Sequence, residues 1–168
     1  MNIALIGFRG AGKTTIGKLL AKKLDKKFIS TDEEMENKTK MSAEKFAKKY
    51  GLEKFREIES EVIELISDLD ECIFDTGSGI IMRNENIINL KKNGLIVLLT
   101  ADAKATANRL KNKRLALDKS GYLEEMKNIL LEREQRYKKA SDYSIDTSRL
   151  TPEEVCDLIT HFIQMELQ

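Results

Sequence analysis

The chain has 168 residues, 41% of them hydrophobic, and 29 Lys and Arg stand against 28 Asp and Glu for a net charge of +1. That is enough chain for a single domain, 1–168, with a real core, and too balanced a charge for a nucleic-acid-coating protein or an acidic tail. No apolar run approaches the ~20 residues of a membrane span, and the chain enters a strand pattern at once, so neither a membrane partner nor a signal peptide is expected.

The first apolar run, Ile3-Ala4-Leu5-Ile6, leads into Gly7-Phe8-Arg9-Gly10-Ala11-Gly12-Lys13-Thr14-Thr15. A helical pattern through Ile16, Leu19, Leu20 and Leu24 follows. This is the strand–GxxxxGK[ST]–helix arrangement of a phosphate-binding P-loop, in the context the motif requires. Its glycines let the backbone approach phosphates with no Cβ in the way. Successive N–H groups from Gly10 to Thr15, with the helix N-terminus, present partial positive charge to the anion. Lys13 is placed to reach the β- and γ-phosphates of ATP, and the Thr14 hydroxyl to ligate Mg²⁺. The competing reading is a Gly-rich turn that only joins strand to helix.

Further strands are predicted at 28–30, 72–74, 95–99 and 143–145, separated by patterns of 3.6 period such as Phe55, Ile58, Val62, Ile66 and Leu69. Strands alternating with helices argue for a parallel sheet covered on both faces. Asp32, just after the second strand, stands at the carboxyl end where open α/β sheets bind ligands. It could orient an attacking hydroxyl, hold metal, or cap the following helix. Residues 40–54 are strongly charged and break into short helical pieces, with Ser42 an expected N-cap. Asp75-Thr76-Gly77-Ser78-Gly79 closes the third strand; the aspartate is placed for a second Mg²⁺ contact, or the stretch is an ordinary strand-end turn. Residues 111–122 are basic and lack periodicity, as befits a lid or a solvated surface loop.

In the helix expected over 122–139 the apolar stripe is Met126, Ile129, Leu130 and Tyr137, and Arg133 falls inside it. A guanidinium facing inward is costly unless an internal carboxylate or a ligand anion meets it. Arg56 repeats this weakly at the edge of the Phe55/Val62/Ile66 stripe. The final helix starts at Thr151-Pro152-Glu153-Glu154, a capping box with proline at N1, and is expected to bury Val155, Leu158, Ile159 and Phe162. Cys72 and Cys156 lie far apart with only His161 for company, so no zinc site is expected, and a reducing cytoplasm is the default.

Taken together, the chain resembles the shikimate kinases, a family of nucleoside-monophosphate-kinase-like P-loop proteins. The likeness runs along essentially the whole chain, through GFRGAGKTTIG at 7–17, STDEEME at 30–36, KFREIE at 54–59, TGSG at 76–79, KRLAL at 113–117, REQRY at 133–137 and DYSIDT at 142–147. It implies that Asp32 binds and assists the acceptor hydroxyl, and that Arg56 and Arg133 hold the acceptor carboxylate. It further implies that Gly77 and Gly79 line the substrate with Ser78 between them, that Arg114 reaches the transferring phosphate, and that Arg109 lies by the adenine. Departures from the family pattern are Ser30, where an aspartate usually helps hold Mg²⁺, Ser78 for the middle glycine of three, and Leu115 for the lid proline. Asp75 is then expected to take the metal-side role with Thr14.

The expected fold is α/β, a three-layer P-loop NTPase fold with a five-stranded parallel sheet, a substrate-binding segment near 32–60 and a lid near 111–121. The expected activity is an ATP- and Mg²⁺-dependent kinase acting on a hydroxyl of a small carboxylated metabolite, shikimate to shikimate 3-phosphate first among them. A cytoplasmic monomer is expected. The alternatives are a P-loop kinase for a sugar acid or nucleotide, and a nucleotide-binding module without turnover.

Overall fold

The computed structural model describes residues 1–111 and 120–168. Five strands, β1 (Asn2–Ile6), β2 (Lys27–Ser30), β3 (Cys72–Asp75), β4 (Gly94–Thr100) and β5 (Tyr143–Asp146), form one all-parallel sheet in the order β2-β3-β1-β4-β5. The predicted strands are all present, each longer by one or two residues. Eight α-helices lie among the described residues: α1 (Lys13–Leu24), α2 (Thr31–Thr39), α3 (Ala43–Tyr50), α4 (Leu52–Ser67), α5 (Asn84–Lys91), α6 (Ala103–Lys111), α7 (Ser120–Ala140) and α8 (Pro152–Glu166). None of them is long and apolar enough to cross a membrane.

The period of two along each strand divides the core. Ile3 and Leu5 of β1, with Ile73, Val97, Leu99 and Ile145, meet α1 and α8 through Ile16, Leu20, Val155 and Ile159. Ala4 and Ile6, with Ile29, Phe74, Ile96 and Leu98, meet α4, α5 and α7 through Val62, Ile63, Leu90 and Tyr137. Both faces of the sheet are therefore apolar, as an all-parallel sheet under two helical layers requires. Asn2 is buried at the strand start without cost, because its amide donates to Leu69 O at 2.7 Å and its oxygen accepts from Cys72 N at 2.9 Å.

The helix starts follow the sequence signals in most places. Ser42 caps α3 by accepting from Lys45 N, and Thr151 with Glu154 forms the complete capping box of α8. Three expectations need correction. The N-cap of α2 is Ser30, which accepts from Glu33 N, so Asp32 is a first-turn residue and not the cap. Leu158 is exposed, and α8 instead buries Cys156 and Ile163 beside Val155 and Ile159, because its apolar stripe is rotated toward α1. Leu69 is exposed beyond the end of α4, and the helix instead buries Ile63 beside Val62 and Ile66.

Candidate active site

The carboxyl ends of β1, β2 and β3 open onto a cavity of about 880 Å³. Its wall includes the loop from Phe8 to Thr15, Asp32, Arg56, Glu59, the 75–79 segment, Arg109 and Arg133. Residues from six separate parts of the chain thus meet where the order of the sheet reverses around β1, the crevice in which such sheets bind ligands.

The loop is shaped by its neighbours. At Gly7 φ is +145° and a Cβ would overlap the Leu99 carbonyl oxygen, so only glycine lets β1 turn away over β4. The turn closes through Ala11 N donating to Phe8 O at 3.2 Å. Helix α1 then begins at Gly12 with no side-chain cap and no acidic residue in its first turn. Its orphan N–H groups and the positive end of its dipole are left facing the cavity. Lys13 is buried and donates to the carbonyl oxygens of Gly7 and Phe8 at 2.8 and 3.2 Å. Burial pushes its ammonium down to about 8, with Asp75 and Asp32 pulling the other way.

Thr14 donates its hydroxyl hydrogen to Asp75 Oδ2 at 2.6 Å, which links the first turn of α1 to the end of β3. Asp75 is nearly buried, and burial raises its carboxyl above the usual range against the opposing pull of Thr14 and Lys13. It is the register partner of Ser30 on β2, whose own hydroxyl is occupied as the α2 cap. No group of three or more acidic, His or Cys side chains suited to a metal ion occurs among the described residues. Thr14 and Asp75 are nevertheless hard oxygen donors side by side, a set that suits Mg²⁺ completed by phosphate and water.

Across the cavity the two open readings for the inward arginines separate. Arg56 pairs with Glu59 at 2.7 Å in a largely buried contact, one turn apart on α4. Burial raises the Glu59 carboxyl, and Arg56 counteracts that rise. Arg133 has no ion pair among the described residues and donates instead to the Ser78 carbonyl at 3.3 Å. The turn at Gly77–Gly79 is packed between these groups. A Cβ at Gly77 would lie 3.2 Å from Glu59 Oε2 and 3.3 Å from Asp32 Oδ1, and one at Gly79 would overlap the Arg56 guanidinium. Asp32 and Glu59 therefore converge beside Gly77, and Gly77 N donates to Thr31 Oγ1 at 3.0 Å to hold the turn there.

Arg109 reaches the same cavity from α6, but its nitrogens are engaged at the base of the loop. They donate to Gly10 O at 3.1 Å and to Thr147 Oγ1 and O at 2.9 and 2.8 Å. Thr147 is buried, with its hydroxyl 3.0 Å from Ala11 O, and was not singled out from the sequence, although DYSIDT ends on it. Leu150 and Pro152 also line the cavity and carried no chemical signal. Arg114 and Leu115, with most of the lid expected near 111–121, lie outside the described residues.

A glycine-shaped loop at a helix N-terminus, faced across one cavity by arginines and carboxylates, fits one class of protein: P-loop phosphotransferases. A family model described as shikimate kinase matches residues 9–164. The shikimate kinase of Thermodesulfovibrio yellowstonii is 43% identical over 94% of this chain and 92% of its own. That of Caldicellulosiruptor bescii is 42% identical over 90% and 89%. The structure of shikimate kinase from Acinetobacter baumannii in complex with shikimate superposes with a TM-score of 0.89 at 28% identity, covering 98% of this chain and 93% of that one. The chain belongs to the shikimate kinase family, ATP-dependent phosphotransferases acting on an alcohol acceptor.

Proposed function

We propose that this chain phosphorylates the 3-hydroxyl of shikimate, using ATP with Mg²⁺, as a cytoplasmic monomer. The observation that carries the reading is the meeting, in one cavity with the P-loop, of Asp32, Arg56 and Arg133 around the Gly77–Gly79 turn. A carboxylate for a hydroxyl and two guanidiniums for a carboxylate match a hydroxylated carboxylic acid. In this reading Lys13 and the amides from Gly10 to Thr15 hold the phosphates, and Lys13 neutralises part of their charge. Asp32 orients the attacking hydroxyl or takes its proton. Arg56 and Arg133 anchor the acceptor, while Arg114 and Arg109 attend the transferring phosphate and the base. Catalysis is then mostly positioning and charge neutralisation.

Thr14 and Asp75 would hold Mg²⁺, which supplies charge neutralisation at the β- and γ-phosphates. Asp75→Asn is expected to raise the Mg²⁺ concentration for half-maximal ADP binding by about tenfold, the worth of roughly one charged contact. Calorimetric ADP titrations at several Mg²⁺ concentrations read this directly, and an unchanged Mg²⁺ requirement would remove Asp75 from the metal site.

Arg133→Ala removes a charge-assisted contact worth about 1.5–3 kcal/mol, so the shikimate KM should rise about 10- to 100-fold with the ATP KM unchanged. An unaltered shikimate KM would sink the carboxylate clamp. The decisive experiment is coupled ADP-release kinetics with shikimate, a sugar acid and nucleoside monophosphates as acceptors at varied Mg²⁺. Turnover on shikimate alone supports the reading, and preference for another acceptor overturns it.

A further inference from the structure

Tyr137 lies four residues, about one helical turn, after Arg133 on α7, so both side chains project over the same stretch of chain. Both reach one atom. The Tyr137 hydroxyl donates to the Ser78 carbonyl oxygen, and Arg133 Nη1 donates to it from 3.3 Å. Tyr137 is only 2% exposed, and burial pushes its phenol up to about 12, so it remains a hydrogen-bond donor at any ordinary pH. Ser78 in turn sits between two fixed neighbours: Gly77, held by Thr31, and Gly79, packed flush against the Arg56 guanidinium. The turn that carries this carbonyl therefore lies between both guanidiniums, touching Arg133 at Ser78 and Arg56 at Gly79.

We propose that Tyr137 is a positioning residue for the acceptor subsite, its hydroxyl anchoring the Ser78 carbonyl so that Arg133 can leave that carbonyl for the carboxylate of the acceptor. The inference rests on the acceptor assignment made above. A carbonyl oxygen has two lone pairs and accepts both donors in the free protein. When an anionic acceptor arrives, a charge-assisted contact to its carboxylate is stronger than the bond from Arg133 to a neutral carbonyl. The exchange is favourable only if Ser78 O keeps another donor, because a part-buried acceptor left bare is costly. Tyr137 supplies that donor. Without the hydroxyl, Arg133 becomes the sole partner of Ser78 O and is drawn away from the acceptor.

The test is Tyr137→Phe, which keeps the ring in the core and removes one oxygen. Shikimate binding is measured by calorimetry, and steady-state kinetics are run well below the melting temperature of each variant. The dissociation constant and KM for shikimate are expected to rise about fivefold, with kcat within about twofold and the ATP KM unchanged. Arg133→Ala is expected to raise the shikimate KM by a smaller factor in the Tyr137→Phe background than in the wild type, because the two residues act through one carbonyl. Equal factors in both backgrounds, an unchanged shikimate KM in Tyr137→Phe, or a parallel loss for shikimate and ATP would each overturn the proposal. The outcome separates cleanly from the acceptor assignment: a wild type that does not bind shikimate overturns that assignment, whereas equal shikimate binding by wild type and Tyr137→Phe overturns the anchor alone.

Discussion

Asp32→Asn is expected to lower kcat by about 10²- to 10⁴-fold, the span of a general base, with a much smaller change in nucleotide affinity. Two carboxylates converge on the cavity beside Gly77, and their surroundings differ. Glu59 is buried and already paired with Arg56, so it holds a guanidinium in place. Asp32 is exposed to the cavity in the first turn of α2 and has no ion pair among the described residues. Its Oδ1 lies close to the point where Gly77 would carry a side chain, so the glycine keeps open the space beside it. Asparagine preserves the shape and one hydrogen-bond acceptor but not the negative charge. Saturating both substrates isolates kcat, and a loss below about threefold would reduce Asp32 to an acceptor-binding group, given the rate span of a positioned base.

Removing Lys13 should be comparably severe, and its pH signature is more specific. Lys13→Met is expected to cost about 10²- to 10³-fold in kcat, the scale of losing one preorganised charge at the reacting phosphate. In the free protein the ammonium is buried and titrates at about 8. Bound phosphates favour the charged form, so the Lys13 pKa is higher in the complex than in the free protein. Below about 8 both states carry the proton, and this group leaves affinity flat. Above about 8 the free protein loses it first, and nucleotide affinity falls by up to about tenfold per pH unit as binding takes up a proton. ADP titrations from pH 7 to 9.5 should show this downturn in the wild type and not in Lys13→Met. A flat wild-type profile would mean that the amine stays charged throughout.

The loop and the sheet were legible because each rests on local rules. GxxxxGK[ST] requires its glycines where the backbone turns, and the apolar runs of two alternating faces fix which residues meet which layer. Ser42 and Thr151 announced helix starts by the same local chemistry. The α2 cap stayed open in the sequence because Ser30 and Asp32 both suit a cap, and only the backbone chooses between residues two apart. Leu158 and Ile163 lie at opposite edges of one broad apolar arc on α8, so the period alone could not say which edge faces α1. Within the site, Arg133 betrayed itself by lying in an apolar stripe. Its contact with Ser78, and that of Thr147 with the loop, join residues far apart in the chain and leave no periodic trace. The pairing of Arg56 with Glu59 was open in the sequence because an i,i+3 pair and a ligand clamp use the same residues.

The strand that begins the chain lies in the middle of the sheet. β1 is bonded to β3 on one side and β4 on the other, and Gly7 turns against Leu99. During synthesis β1 therefore emerges with two unpaired edges and two apolar faces, and its second partner begins only at Gly94. Pairings of this sequence separation are slow to close and leave the chain prone to association while they wait. A nascent chain halted before β4 would carry the complete P-loop sequence without the wall that shapes it, so nucleotide binding should be acquired late, as one step with closure of the sheet.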